Sequence, residues 1–167
     1  GDFRLTSYEW GVTYAAMLRA AETTGDTRYT TYVKDRFDFL KKWVPAVKAK
    51  FPEEYIRTQR FLHQPIYPHA LDDAGAVCAA MIKAQRAGLN EGLRSQIDHF
   101  INYILKNEYR LKDGTLARNR PLKNTLWLDD MFMGVPAIAQ MGKLTGDKKY
   151  FDPGNKEAQK FPGLFHF

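Results

Sequence analysis

The chain has 167 residues, 44% of them hydrophobic and 14% aromatic, which suits one domain with a sizeable core and is too apolar for a disordered segment. No apolar run approaches the roughly 18 residues of a membrane span, and the single cysteine, Cys78, excludes an intramolecular disulfide or a cysteine-rich zinc site. The net charge of +6 suits an acidic partner, but Lys and Arg are scattered rather than massed, so nucleic acid and membrane are not the predicted partners.

Read from its start, the chain repeats one unit. "WGVTYAAMLRAAETTGDTRY" (10–29) is an apolar helix rich in Ala and Met, a Thr-Gly-Asp stop, and an aromatic restart. An amphipathic partner helix follows in "YTTYVKDRFDFLKKWVPAV". A Pro- and aromatic-rich connection, "FPEEYIRTQRFLHQPIYPHALDD", leads to the second unit, "AGAVCAAMIKAQRAGLNEGL" (74–93), where Cys78 reads as a small core residue. Its partner is "GLRSQIDHFINYILKN", and the irregular stretch "EYRLKDGTLARNRPLKNTLWLDD" follows. The third unit, "MGVPAIAQMGKLTGDKKY" (133–150), repeats the Gly-Val and the Thr-Gly-Asp of the first.

The aligned glycines Gly11, Gly75 and Gly134 stand about 60 residues apart. Gly25, Gly88 and Gly146 occupy the places of left-handed C-terminal caps, and Asp26 and Asp147 can cap the helices that follow. These features predict an all-α domain over 1–167, built of helical hairpins at about 6–50, 70–107 and 129–160. Small, apolar helices line the inside and amphipathic ones the outside, as in an (α/α)6 toroid. Such a ring takes about six hairpins and three are present, the third with a shortened partner helix, so the fold reads as abridged.

Two acid pairs stand where inner helices begin: Asp72-Asp73 in "HALDDAGAV" and Asp129-Asp130 in "TLWLDDMFM". Capping is the simpler account, since a carboxylate at a helix N-terminus gains roughly 0.3–1 kcal/mol from the backbone N–H groups and the dipole. One aspartate satisfies a cap, however, and both sites carry two. The functional account asks for a carboxylic acid that stays protonated near neutral pH, which a neighbouring carboxylate and apolar walls favour. Equivalent ends of consecutive hairpins lie side by side, so both pairs would face one cavity, with Trp127 as a stacking face for a sugar. That is the two-carboxylate arrangement of carbohydrate hydrolysis.

The segments "LTSYEWGVTYAAM", "HALDDAGAV", "DGTLARNRP" and "TLWLDDMFMGVPAIAQMGKLTGDKKYFD" resemble unsaturated rhamnogalacturonyl hydrolases, family 105 of the glycoside hydrolases, related to the unsaturated glucuronyl hydrolases. The resemblance implies an (α/α)6 barrel with a central cleft. It also implies hydration of a Δ4,5-unsaturated uronic acid left by a polysaccharide lyase on pectin-like chains. The general acid of that chemistry maps to Asp129. Asp130 is its rival, because a one-residue slip exchanges them. The second carboxylate maps to Asp72 or Asp73, with Asp73 preferred. Trp127 would face the substrate, with Asp72 and Asp130 beside it.

Weaker candidates complete the site. Arg118 and Arg120 could fork onto the uronate carboxylate, and His69 could hydrogen-bond substrate or merely order its loop. His166, in "GLFHF", resembles a segment whose histidine lines the cleft. His63 and His99 lack a second ligand at metal spacing and read as structural, as do Tyr8 and Trp10. No metal or cofactor is implied. The implied partner is an acidic oligosaccharide substrate, with a homo-oligomer or a second half of the barrel to cover the open edge; the compartment is bacterial cytoplasm or periplasm. Two other readings compete: a non-catalytic helical-repeat module that binds saccharide or protein, and a conventional inverting (α/α)6 glycosidase.

Overall fold

The computed structural model describes residue 4 and residues 6–153, and among these every regular element is a helix. The first hairpin pairs α1 (Tyr8–Thr24) with α2 (Thr27–Lys50). Short helices α3 (Glu53–Thr58) and α4 (Arg60–Ile66) lead to α5 (Leu71–Arg86). Helix α6 (Arg94–Asn102) returns beside it and ends in a π-helical turn, Tyr103–Asn107. A long loop then reaches α7 (Leu128–Thr145), followed by a 3-10 turn at Lys148–Tyr150. The part of the predicted third hairpin beyond residue 153, and His166, lie outside the described residues.

The helix ends follow from local chemistry. Gly25, Gly88 and Gly146 adopt φ near +70°, the left-handed conformation that stops α1, α5 and α7. Asp26 accepts the Arg28 N–H at the head of α2, and Asp147 accepts the Lys149 N–H at the 3-10 turn. The connection after α2 departs from the irregular reading, since it carries two short helices. Pro52 and two glutamates in the first turn start α3, while Pro65 stands in the last turn of α4. Helices this short have no hydrophobic period to reveal them.

Helix α5 is the axis of the molecule. It is buried nearly all round, with Ala74, Val77, Cys78, Ala80, Met81, Ile82 and Ala84 inaccessible to solvent. Helices α1 and α7 each pack along α5 rather than on one another, α2 covers α1, and α6 covers α5. Tyr14 of α1 meets Phe37 of α2 edge-to-face, with ring centroids 5.1 Å apart. Each large aliphatic side chain buried here contributes about 1.5–3 kcal/mol, and Met81, Ile82, Ile97 and Ile104 all belong to this one core.

Two glycines set the spacing of the inner row. A Cβ on Gly11 would fall 2.5 Å from the Ala76 carbonyl carbon, and one on Gly75 would fall 2.5 Å from the Met133 carbonyl oxygen. Neither obstacle can yield without moving its helix, so these positions fix how closely α1 and α7 approach α5. At the two flanks, apolar side chains stay exposed: Tyr8 and Val12 on α1, Leu128 and Phe132 on α7.

Candidate active site

Because the outer helices return the chain each time, α1, α5 and α7 begin at the same end of the row. The two acid pairs occupy the same places there, in the first turns of α5 and α7. In each pair the first carboxylate accepts the N–H of the second aspartate, Asp73 N–H to Asp72 at 2.8 Å and Asp130 N–H to Asp129 at 3.0 Å. Capping is thus part of what they do, and the remaining oxygens lead elsewhere.

Asp130 is 3% exposed, and its buried carboxylate takes a two-pronged pair from Arg118, through Nε and through Nη2 at 2.7 Å. The same Nη2 donates to Asp72 at 3.0 Å and lies 3.5 Å from Asp129. Burial pushes the Asp130 carboxyl up against the pull of Arg118, and Arg118 itself is held charged by Asp130 before all other neighbours. One oxygen from each of Asp72, Asp129 and Asp130 lies within 4.8 Å of the others, the kind of grouping that could hold a cation; here the Arg118 guanidinium binds all three. The guanidinium also stacks over the Trp127 ring at 4.2 Å, and the indole N–H donates to Thr125 Oγ1 at 3.1 Å.

Arg118 is placed by its loop. Its N–H and C=O exchange hydrogen bonds with Thr125 at 2.8 and 3.2 Å, while buried Thr115, Leu116 and Ala117 anchor the strand-like segment before it. With its Nε and Nη2 on the protein's own carboxylates, Arg118 is committed to organising the acids. Arg120, two residues on, donates to the His69 carbonyl and remains exposed at the rim.

Asp73 goes the other way. It is 6% exposed, accepts the Tyr8 N–H at 2.7 Å, the first amide of α1, and lies 3.7 Å from Arg4. Burial drives its carboxyl up to about 6, with the Asp72 charge adding to the rise and the Tyr8 N–H opposing it. The structure therefore groups Asp72, not Asp73, with Asp129 and Asp130. Asp129 has a half-exposed side chain, the most accessible carboxylate of the cluster.

A cavity of about 360 Å³ opens beside these groups, lined by Asp72, Arg118 and Asp130 on one side and by His69, Tyr103 and Glu108 among others. The His69 ring stacks on His63 at 3.9 Å; loss of water from the stacked ring, then the His63 charge, lowers its pKa to about 4, so it is neutral near pH 7. His63 contacts Arg57, and His99 contacts the Ile66 carbonyl at 3.0 Å, both structural roles. Sequence reasoning missed three residues near the acids, of which Tyr103 and Glu108 line the cavity. Tyr8 is exposed near Asp72 and Asp129; Glu9 chiefly, with those two acids, raises its phenol above the usual value. Tyr103 and Glu108 hydrogen-bond each other on the cavity wall. Their signal was an acid and an aromatic bracketing the end of the second hairpin.

Comparison with curated proteins returned no match. Comparison with family profiles returned Glycosyl Hydrolase Family 88, matched over residues 3–163. With parallel inner helices that converge on a carboxylate cluster and a match across almost its whole length, the chain belongs to glycoside hydrolase family 88, the unsaturated glucuronyl hydrolases.

Proposed function

We propose that this glycoside hydrolase removes a Δ4,5-unsaturated uronic acid of the galacturonyl type from the non-reducing end of pectin or rhamnogalacturonan lyase products, by hydrating the C4=C5 vinyl ether. The observation that carries the reading is the meeting of Asp72, Asp129 and Asp130 around one guanidinium, beside a cavity, at the shared end of the inner helices. Asp129 donates its proton to C4, and the ring oxygen supports the positive charge that develops at C5. Water adds at C5 and returns a proton to the Asp129 carboxylate. The resulting hemiketal opens, and the bond to the neighbouring sugar breaks.

Each neighbour has a part in this. The two further carboxylates beside Asp129 stabilise the oxocarbenium-like transition state. Three helix N-termini offset the accumulated negative charge. Arg120, exposed at the rim, takes the uronate carboxylate, the role that Arg118 is too committed to fill. The exposed part of Trp127 offers a surface to the sugar, with Arg118 holding the indole in place. Asp72 supplies the second carboxylate, and Asp73 orders the start of α1.

One observation favours a second assignment of the acid: the Asp73 carboxyl, pushed up to about 6, is suited to hold a proton near neutrality. Its burial and its bond to Tyr8 argue for the positioning role instead. A conventional inverting mechanism on Asp72 and Asp129 fits poorly, because one oxygen of each lies within 4.8 Å of the other, closer than the roughly 6.5–9.5 Å that leaves room for the attacking water.

The test is a lyase digest with unsaturated galacturonyl ends beside one with glucuronyl ends, followed by loss of the double bond's ultraviolet absorbance. Faster loss on galacturonyl ends is expected. Loss on glucuronyl ends alone moves the specificity, and binding without loss makes the chain a saccharide-binding module.

A further inference from the structure

Two residues that line the cavity, Tyr103 and Glu108, have no part in the proposed reaction. The π-helical turn Tyr103–Asn107 lengthens the end of α6 and delivers Glu108, whose N–H bonds back to the Tyr103 carbonyl at 2.9 Å. Turns of this kind recur at functional sites. One Glu108 oxygen accepts the Tyr109 N–H at 2.9 Å, and the other accepts the Tyr103 hydroxyl. Both partners are neutral, and no cation lies within 4 Å of the carboxylate among the described residues. Burial raises the Glu108 pKa against the pull of its two hydrogen bonds and of the Arg120 charge, so holding this carboxylate ionised costs free energy. A carboxylate offers about four lone-pair positions, and two are occupied here. Arg120, which also lines the cavity, is bonded to the His69 carbonyl.

We infer that Glu108 is a specificity-determining residue, which accepts hydrogen bonds from vicinal hydroxyls of the sugar attached to the uronate and thereby selects a neutral sugar at that position. The inference rests on the function proposed above and names the class of its leaving group. A carboxylate matches a sugar diol with two parallel acceptors, and it repels a second uronate. Tyr103 and the Tyr109 amide orient the carboxylate and leave its outer lone pairs for the ligand.

The experiment compares Glu108→Gln with the unaltered protein on an unsaturated uronyl–rhamnose disaccharide and on the methyl glycoside of the same uronate. The disaccharide-to-methyl-glycoside ratio of kcat/KM is expected to fall at least tenfold, and Tyr103→Phe should move it in the same direction by less. An unchanged ratio, whether both rates fall together or neither does, overturns the inference. Calorimetric binding of the disaccharide to each protein separates this result from the reaction itself. If nothing is turned over but Glu108→Gln still weakens disaccharide binding at least tenfold, the diol site stands and the hydration chemistry falls. If nothing is turned over and binding is unaffected, the inference falls as well.

Discussion

The tripeptides Leu71-Asp72-Asp73 and Leu128-Asp129-Asp130 are identical in sequence and hold the same places in helices α5 and α7, yet their second aspartates meet different partners. Asp130 is buried against a guanidinium that satisfies it twice over. Asp73 is buried against one backbone amide and a distant arginine. The same residue at the same helical position is therefore held by a two-pronged guanidinium pair in one copy and by a backbone amide with a longer arginine contact in the other, while burial raises both carboxyls. What differs is the neighbouring segment: α7 is preceded by a loop that carries Arg118, whereas α5 faces the start of α1. A repeat thus supplies equivalent backbone sites, and the non-repeated loops decide their chemistry.

The comparison breaks most visibly at Arg118. Arg118→Ala leaves Asp130 charged and buried without a partner, and we expect a loss of about 3–5 kcal/mol in urea unfolding together with the loss of turnover. Arg118→Lys should recover only part of either, because an ammonium cannot reproduce the two-pronged pair.

Asp73→Asn should act in the other direction. The folded-state pKa of about 6 lies above the ordinary carboxyl value of 3.8, so ionised Asp73 costs stability above pH 6, and protonation on acidification removes that cost. The variant, which keeps an acceptor for the Tyr8 N–H, should exceed the parent by up to about 3 kcal/mol at pH 7.5. The advantage should shrink between pH 6 and pH 4 and vanish below, as read from denaturant curves across that range. A variant less stable than the parent at pH 7.5 would mean that Arg4 and the helix dipoles satisfy the charge.

The spacing of the two pairs is the next point of attack. Gly75→Ala places a methyl group against the Met133 carbonyl, and we expect a loss of about 1–3 kcal/mol with a lowered Tm. The strain falls between α5 and α7, so turnover should drop further than stability alone explains. The smallest effect is expected at Trp127. Trp127→Leu removes the stacking on Arg118, worth about 0.5–1 kcal/mol at an exposed site, and should raise KM more than it lowers kcat.

Much of this was legible in the sequence. Local chemistry announces itself locally: the Thr-Gly-Asp stops mark the ends of α1 and α7, and the run from Ala74 to Ala84 is apolar enough to identify the buried axis. That Asp72 meets Asp129 and Asp130 at one end of the row followed from the repeat, though Asp73 turns away to α1. Contacts between segments left no such trace. Arg118 lies 46 residues from Asp72, in a loop without period, and nothing in "LARNRP" distinguishes it from Arg120. The choice between Asp72 and Asp73 depended on which neighbour each side chain meets, which a capping pattern does not encode. Glu108 was hidden because a π turn changes the phase of the helix that carries it.

The most direct test is Asp129→Asn, assayed by the loss of ultraviolet absorbance of unsaturated uronyl ends and checked by thermal unfolding. The half-exposed Asp129 side chain gives the fold little to lose, so the Tm should stay close to that of the parent while turnover falls by at least 1,000-fold, about 4 kcal/mol of barrier. Turnover within tenfold of the parent in a folded Asp129→Asn protein would contradict the assignment and move the proton donor to another carboxyl, with Asp73 first to be tried.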